Sequence, residues 1–179
     1  MPGKTGAGRA RIIEKSRELI AERGFGGLTY DSLSRETGMT KGGILYHFPT
    51  KEDLVRGVLE DVLAARNARL EENLGKGLAD SSREERLISY VRSTIGEKPR
   101  REELSLFVDA LRVEELKVLW HDSGLTKLDG REFDEAGVDM QLMRFAADGL
   151  WMLESLGVVS LSEERREELI ERMIAFIKK

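Results

Sequence analysis

The sequence predicts an all-helical protein on three observations. Apolar residues recur three or four positions apart from Ala10 to the C-terminus. Glycine, proline and Ser/Thr cap residues punctuate that recurrence at the spacing of short to medium helices. No stretch alternates apolar and polar residues with the period of a half-buried strand.

The 179 residues, 40% of them hydrophobic, suffice for a core that needs no staple. There are no cysteines, so disulfides, thiolate zinc sites and cysteine nucleophiles are excluded, in keeping with a reducing compartment. The longest apolar run, residues 145–161, contains Asp148 and Glu154. The N-terminus lacks the charged-then-apolar form of a signal peptide. The expectation is a cytoplasmic protein with no membrane partner.

Residues 1–9 carry Lys4 and Arg9 among glycines, have little to bury, and are expected to form a disordered basic arm. Gly3-Lys4-Thr5 lacks the earlier glycine and the preceding strand of a phosphate loop. From Ala10, residues Ile12, Ile13, Leu19 and Ile20 fall at helical spacing around Ser16, and Gly24 stops this first helix after Arg23. Phe25 and Leu28 flank a glycine turn as core fillers. Thr29 then caps a second helix over residues 30–36, with Leu33 inward and Gly38 at its end.

The third helix lies within residues 38–48. Thr40 caps it, and Lys41, Gly42 and Gly43 leave its first turn basic and nearly bare of side chains. Interior helix glycines cost roughly 1 kcal/mol each relative to Ala, so a pair of them marks a backbone that approaches something closely; the plainer alternative is a loosened exposed turn. A helix of under about 12 residues is marginal in water and needs the second helix as a brace. Two short helices joined by Thr37-Gly38-Met39-Thr40 and braced by a first describe a helix-turn-helix.

Pro49 ends the third helix, and Thr50 caps a fourth whose first turn holds Lys51, Glu52 and Asp53. Leu54, Val55, Val58, Leu59, Val62, Leu63, Leu70 and Leu74 carry it to about Gly75, a rod of roughly 35 Å joining head to body. Ser82-Arg-Glu-Glu85 opens a fifth helix with a capping box, and Leu87, Ile88, Val91 and Ile95 form its stripe. Pro99 starts a sixth carrying Leu104, Phe107, Val108 and Leu111. A seventh, from about Val113, carries Leu116, Leu119 and Trp120, with an interruption near Gly124 or Gly130.

Residues 139–156 are apolar on almost every side and must be covered on more than one face. Ser160 or Ser162 caps a terminal helix with Leu169, Ile170, Met173, Ile174 and Ile177 on one stripe, while Arg165, Arg166, Glu168, Glu171 and Arg172 keep the other face wet. We expect these last two helices to pair with the same helices of a second subunit as a four-helix bundle, through Leu150, Leu153, Leu169, Ile170, Met173, Ile174 and Ile177. A helix fully internal to a monomeric bundle is the alternative.

Charge is unevenly placed. Residues 1–56 hold ten Lys and Arg against seven Asp and Glu, and the remainder nineteen against twenty-six. A basic head on an acidic body places positive charge where phosphate would be met.

Leu33-Ser-Arg-Glu-Thr-Gly-Met-Thr-Lys-Gly-Gly-Ile-Leu-Tyr-His-Phe-Pro-Thr-Lys-Glu-Asp-Leu54 closely resembles the helix-turn-helix signature of the TetR (tetracycline-repressor-like) family of bacterial transcriptional regulators. Glycine turn, Thr-Lys-Gly, aromatic-His-Phe and Lys-Glu-x-Leu occur in order at the family spacing. Phe145-Ala-Ala-Asp-Gly-Leu-Trp151 and the Glu-rich helix after it look like the dimerising end of a subset of that family. The resemblance implies a DNA-binding domain over residues 10–56 and a ligand-binding and dimerisation domain over residues 57–179. It implies a homodimeric repressor that binds a palindromic operator in double-stranded DNA and leaves it when a small hydrophobic or amphipathic effector binds.

Carried over residue by residue, Lys41, Gly42 and Gly43 match positions that meet base edges or the adjacent backbone. Tyr46 and His47 match later contacts, and Lys51 matches a phosphate contact. Thr29, Tyr30 and Thr40 sit at helix N-termini, which favour phosphate. Many members have Tyr where this chain has Leu45, which leaves that phosphate role to Tyr46. For His47, propping the third helix is an equal alternative.

Candidate pocket residues are Tyr90, Phe107, Leu111, Trp120, His121, Met140, Met143, Arg144 and Trp151, with Asp148 one turn from Arg144; each is open to a core-filling role. The two histidines form no metal motif, and no catalytic spacing stands out. No cofactor, metal or enzymatic activity is expected. The competing reading is a dimeric architectural or adaptor DNA-binding protein without effector control.

Overall fold

A computed structural model describes residues 4–99, 101–110, 116–119 and 137–178, and every regular element among them is helical. Numbered over these residues, the helices are α1 (Lys4–Arg23), α2 (Tyr30–Thr37), α3 (Lys41–His47), α4 (Lys51–Leu74), α5 (Arg83–Ile95), α6 (Arg101–Ala110), α7 (Val138–Ser155) and α8 (Glu163–Ile177). Single 3-10 turns lie at Phe25–Gly27 and Leu78–Asp80. None of the described helices is long and apolar enough to cross a membrane.

Caps and breaks fall where side-chain chemistry places them. Thr29, Thr40, Ser82 and Ser162 each accept a backbone N–H at the third position of their helices. Gly24, Gly38, Gly75 and Gly157 take positive φ at or just past the ends of α1, α2, α4 and α7, a region open to glycine without strain.

The chain divides into two compact units: Met1–Leu63 with Arg101–Leu119, and Ala64–Arg100 with Trp120–Lys179. The first is built on α1, α2 and α3 with the start of α4, over a core that includes Ile12, Leu19, Ile20, Leu33, Ile44 and Leu59. Here α6 packs on α1 and on the Phe25–Gly27 turn. Leu106 and Glu103 are buried, while Val108 is 45% exposed.

Helix α1 starts at Lys4 rather than near Ala10. Contacts later in the chain hold this extension. A Cβ at Gly8 would lie 2.9 Å from His47 Nε2, so the α1 backbone runs directly over that ring. The Arg9 guanidinium lies over the Phe48 ring at 5.2 Å and 3.7 Å from Glu60.

In the second unit α5 packs against α7 and α8, which also pack on each other. Ser89 donates to the Leu70 carbonyl and ties α5 to the end of α4. Arg166, expected on the wet face of α8, is instead 5% exposed. It donates to Glu154 and to the Ile95 carbonyl, so buried partners replace its water. The expected break near Gly124 or Gly130, and Leu111, Trp120 and His121, lie outside the described residues.

Candidate nucleic-acid interface

Several bonds inside the head hold α2, the turn and α3 as one piece. The Thr29 hydroxyl accepts the Ser32 N–H at 3.0 Å, and the Ser32 hydroxyl also lies 2.8 Å from the Gly27 carbonyl, tying the start of α2 to the preceding turn. Gly38 closes α2 at φ 67°, with its N–H on the Ser34 carbonyl. The Ser34 hydroxyl donates to the Met39 carbonyl and the Met39 N–H donates to the Thr37 hydroxyl, so both sides of the turn are pinned.

Burial then orients α3. Ile44 is fully buried and Phe48 nearly so. A Cβ at Gly57 would stand 2.7 Å from the Phe48 ring, so this glycine inside α4 lets the ring seat against the helix backbone. The Tyr30 hydroxyl donates to the Phe48 carbonyl at 3.0 Å and fixes the far end of α3 to α2. Burial raises the Tyr30 pKa above its ordinary value, with Asp53 and Glu52 adding to the shift.

Opposite that buried edge, Thr40, Lys41 and Gly42 are exposed, Gly43 is half-buried, and Tyr46 is 75% exposed. The Thr40 hydroxyl accepts the Gly43 N–H at 3.1 Å. No atom lies within 4 Å of where a Cβ on Gly42 would be, so nothing in this protein requires glycine there. Lys41 Nζ stands 3.4 Å from Asp31, an exposed pair of small energetic worth. Its length suits Lys41 to exchange that carboxylate for a phosphate or a base edge.

The other candidates divide. Thr29 is exposed, although its oxygen already serves α2. Lys51 is half-buried with its ammonium over the Phe25 ring at 4.8 Å. His47 is half-buried between Gly8 and Tyr46, whose ring it meets edge-on at 5.3 Å between centroids. Asp31, Gly8 and Gly57 escaped the sequence reading. A glycine in mid-α4 was the available signal for one of them.

In the second unit Tyr90 and Arg144 come together with Asp148. The Arg144 guanidinium stacks on the Tyr90 ring at 3.8 Å and its Nε bonds Asp148 at 2.9 Å. The Tyr90 hydroxyl also donates to Asp148. Arg66 lies over the Trp151 ring at 5.3 Å. Burial pushes the Tyr90 phenol up to about 12, against the pull of Arg144. Met140 and Met143 are half-buried on α7, while Phe107 belongs to the first unit. Among the described residues no three His, Asp or Glu side chains gather as metal ligands would.

The expected dimer residues also divide. Ile170, Met173, Ile174 and Ile177 are buried within this single chain, Leu150 and Leu169 are half-buried, and Leu153 is 37% exposed. The large apolar side chains left open on and beside α7 are Val138, Leu142, Phe145, Met152, Leu156 and Val158.

Residues 12–58 match the sequence model for bacterial regulatory proteins of the tetR family, and residues 84–178 match that for the tetracyclin repressor-like C-terminal domain. The HTH-type transcriptional regulator SrpR of Pseudomonas putida is 36% identical over 63 residues, 35% of this chain and 28% of that protein. The HTH-type transcriptional repressor AcnR of Corynebacterium glutamicum is 34% identical over 65 residues, 36% of this chain and 35% of that protein. The chain thus spans about a third of the length of these two relatives. In fold it is similar to the multidrug binding protein EbrR complexed with malachite green, with a TM-score of 0.68 at 21% identity over 96% of this chain and 98% of that one.

Proposed function

Since the chain belongs to the TetR family of bacterial regulatory proteins, we propose that it binds a palindromic operator as a homodimer, represses transcription there, and is released by a small hydrophobic or amphipathic effector. The family consists of transcription regulators, and the relatives matched are described as such. The operator reading rests chiefly on the first turn of α3. It is capped by Thr40, carries Lys41, and stands open at Gly42.

A bare first turn suits close approach to the duplex. Lys41 is the candidate for a guanine contact, and Gly42 and Gly43 admit the DNA backbone or a base edge near the α3 backbone. Thr29, Tyr30 and Thr40 at helix starts, with Tyr46, His47 and Lys51, are the candidates for phosphate and flanking contacts. With so few side chains to read bases, groove shape carries part of the specificity. Two such heads on a two-fold axis call for half-sites about 34 Å apart or a multiple of it.

For the effector, the reading as amphipathic rests on the residue types at Tyr90, Arg144, Asp148 and Trp151, which set aromatic rings near a carboxylate and two guanidiniums, those of Arg144 and Arg66. A ligand there has to displace the guanidiniums that now cover the rings. EbrR, of similar fold, was solved with malachite green. Release requires the effector to bind the DNA-free arrangement more tightly than the DNA-bound one, and by linkage operator DNA then weakens the effector. Fluorescence anisotropy on DNA from upstream of the chain's own gene tests this. Titration with a panel of amphipathic and hydrophobic compounds should find one that lowers operator affinity while raising the protein's melting temperature. A panel that stabilises nothing and releases nothing counts against effector control.

A further inference from the structure

Residues 29–48, which build α2, the turn and α3, contain two acids, Asp31 and Glu36. Glu36 serves the head itself, since its carboxylate lies 3.6 Å from the Arg23 guanidinium at the end of α1. Asp31 stands instead beside Lys41, with Oδ1 3.4 Å from Nζ and the two side chains 78% and 57% exposed. An exposed anion on a surface that meets phosphate opposes binding. One reason for an acid there is local: Asp31 lies in the first turn of α2, where the helix dipole favours negative charge. That reason does not call for a cation from another helix.

Resting on the reading above that the first turn of α3 meets DNA, we propose that Asp31 is a positioning and specificity-determining residue that turns Lys41 away from phosphates and toward base edges. An ammonium has three N–H donors, so one can stay with Asp31 while the others point outward. Guanine O6 and N7 are neutral acceptors, and Lys41 reaches them at no electrostatic cost to the carboxylate beside it. A phosphate on the same ammonium is an anion. With Asp31 at 3.4 Å from Nζ and a phosphate oxygen at about 2.8 Å, the two negative groups stand within about 6 Å of each other. That is closer than the Debye length of about 8 Å at physiological salt, so their repulsion is not screened away.

The bias matters because α3 carries no other Lys or Arg. Phosphates are common to every stretch of duplex, whereas a guanine at one place is a property of the operator. A lysine held back from phosphate therefore lowers affinity for random DNA more than affinity for the operator. The pair itself is weak enough, exposed and at the long limit of a hydrogen bond, not to lock Lys41 in place.

Fluorescence anisotropy of the full chain on selected operator and on random duplex of equal length, over a salt series, tests this. Asp31→Asn keeps the shape and removes the charge. It should raise affinity for random DNA roughly three- to tenfold and steepen its salt slope by about one, while operator affinity changes less than about twofold. Asp31→Ala should do the same, which sets aside any new contact by the amide, and Asp31→Glu should keep the wild-type ratio of the two affinities. In a Lys41→Ala background Asp31→Asn should leave that ratio within about twofold, because Asp31 acts through Lys41. An equal gain on both DNAs makes Asp31 a general repulsive charge and overturns the proposal. So does a loss confined to the operator, which makes Asp31 a base contact, or an unchanged ratio with only a lower melting temperature, which leaves the acid serving α2 alone. In each of those cases wild-type protein still prefers its operator; a wild type with no preferred sequence takes down the operator reading and this role together.

Discussion

Arg166 of α8 and Glu154 of α7 form a two-pronged ion pair whose side chains are only 6% and 5% exposed, the Arg166 Nη1 reaching Glu154 Oε2 at 2.9 Å. The same Nη1 donates to the Ile95 carbonyl at 2.7 Å, at the end of α5. One guanidinium thus ties three helices of the second unit. Removing one partner leaves a buried charge, so Glu154→Ala or Arg166→Ala should cost about 3–5 kcal/mol in urea unfolding. Replacing both with Leu and Met should recover most of that loss, because neither charge is then stranded.

Acid should loosen the start of α5. Hydrogen bonding from Lys76, with the Ser82 N–H second, holds the Glu85 carboxyl at about 2, below its ordinary value. The folded pKa is depressed, so the stabilisation is present above the unfolded value of about 4.3 and is lost as pH falls through about 2. Between those limits wild-type protein should lose stability that Glu85→Gln never had. Melting curves of the two proteins should converge as the pH approaches 2.

The contact between α1 and α3 predicts a coupling. Gly8→Val places carbon against His47 Nε2 and should displace α3, weakening operator binding by roughly tenfold, or ~1.4 kcal/mol. His47→Ala in the same chain should relieve the crowding. A double-mutant cycle on DNA affinity should therefore show a coupling of about 0.5–3 kcal/mol, and strict additivity would refute the contact.

Lys41 and Lys51 should separate in their effects on DNA. If Lys41 reads a base, Lys41→Ala costs about 1–3 kcal/mol on operator and less on random DNA. Lys51→Ala should weaken both alike and reduce the salt slope by about one. It should also lower stability by about 0.5–1 kcal/mol through loss of the contact with Phe25. Equal losses from the two changes would remove the division of roles.

The head was largely legible because its signals are local. Thr29 and Thr40 as caps, Gly24 and Gly38 as stops, and the bareness of Gly42 and Gly43 all depend on residues within one turn. What escaped depends on contacts distant in sequence. Gly8 looks like part of a frayed terminus until His47 lies beneath it, and Arg166 looks solvated until Glu154 and the Ile95 carbonyl surround it. Likewise, Ile170, Met173, Ile174 and Ile177 form a clear stripe, but periodicity cannot say whether a stripe is covered by its own chain. Here the chain covers it, and the face left open is on α7.

Selection of bound fragments from random-sequence DNA, at physiological salt and with the full chain, tests operator recognition most directly. Enrichment of one inverted repeat, lost on Lys41→Ala, is the predicted result. Retention of DNA with no palindrome enriched would contradict it and leave a dimeric architectural protein as the better reading.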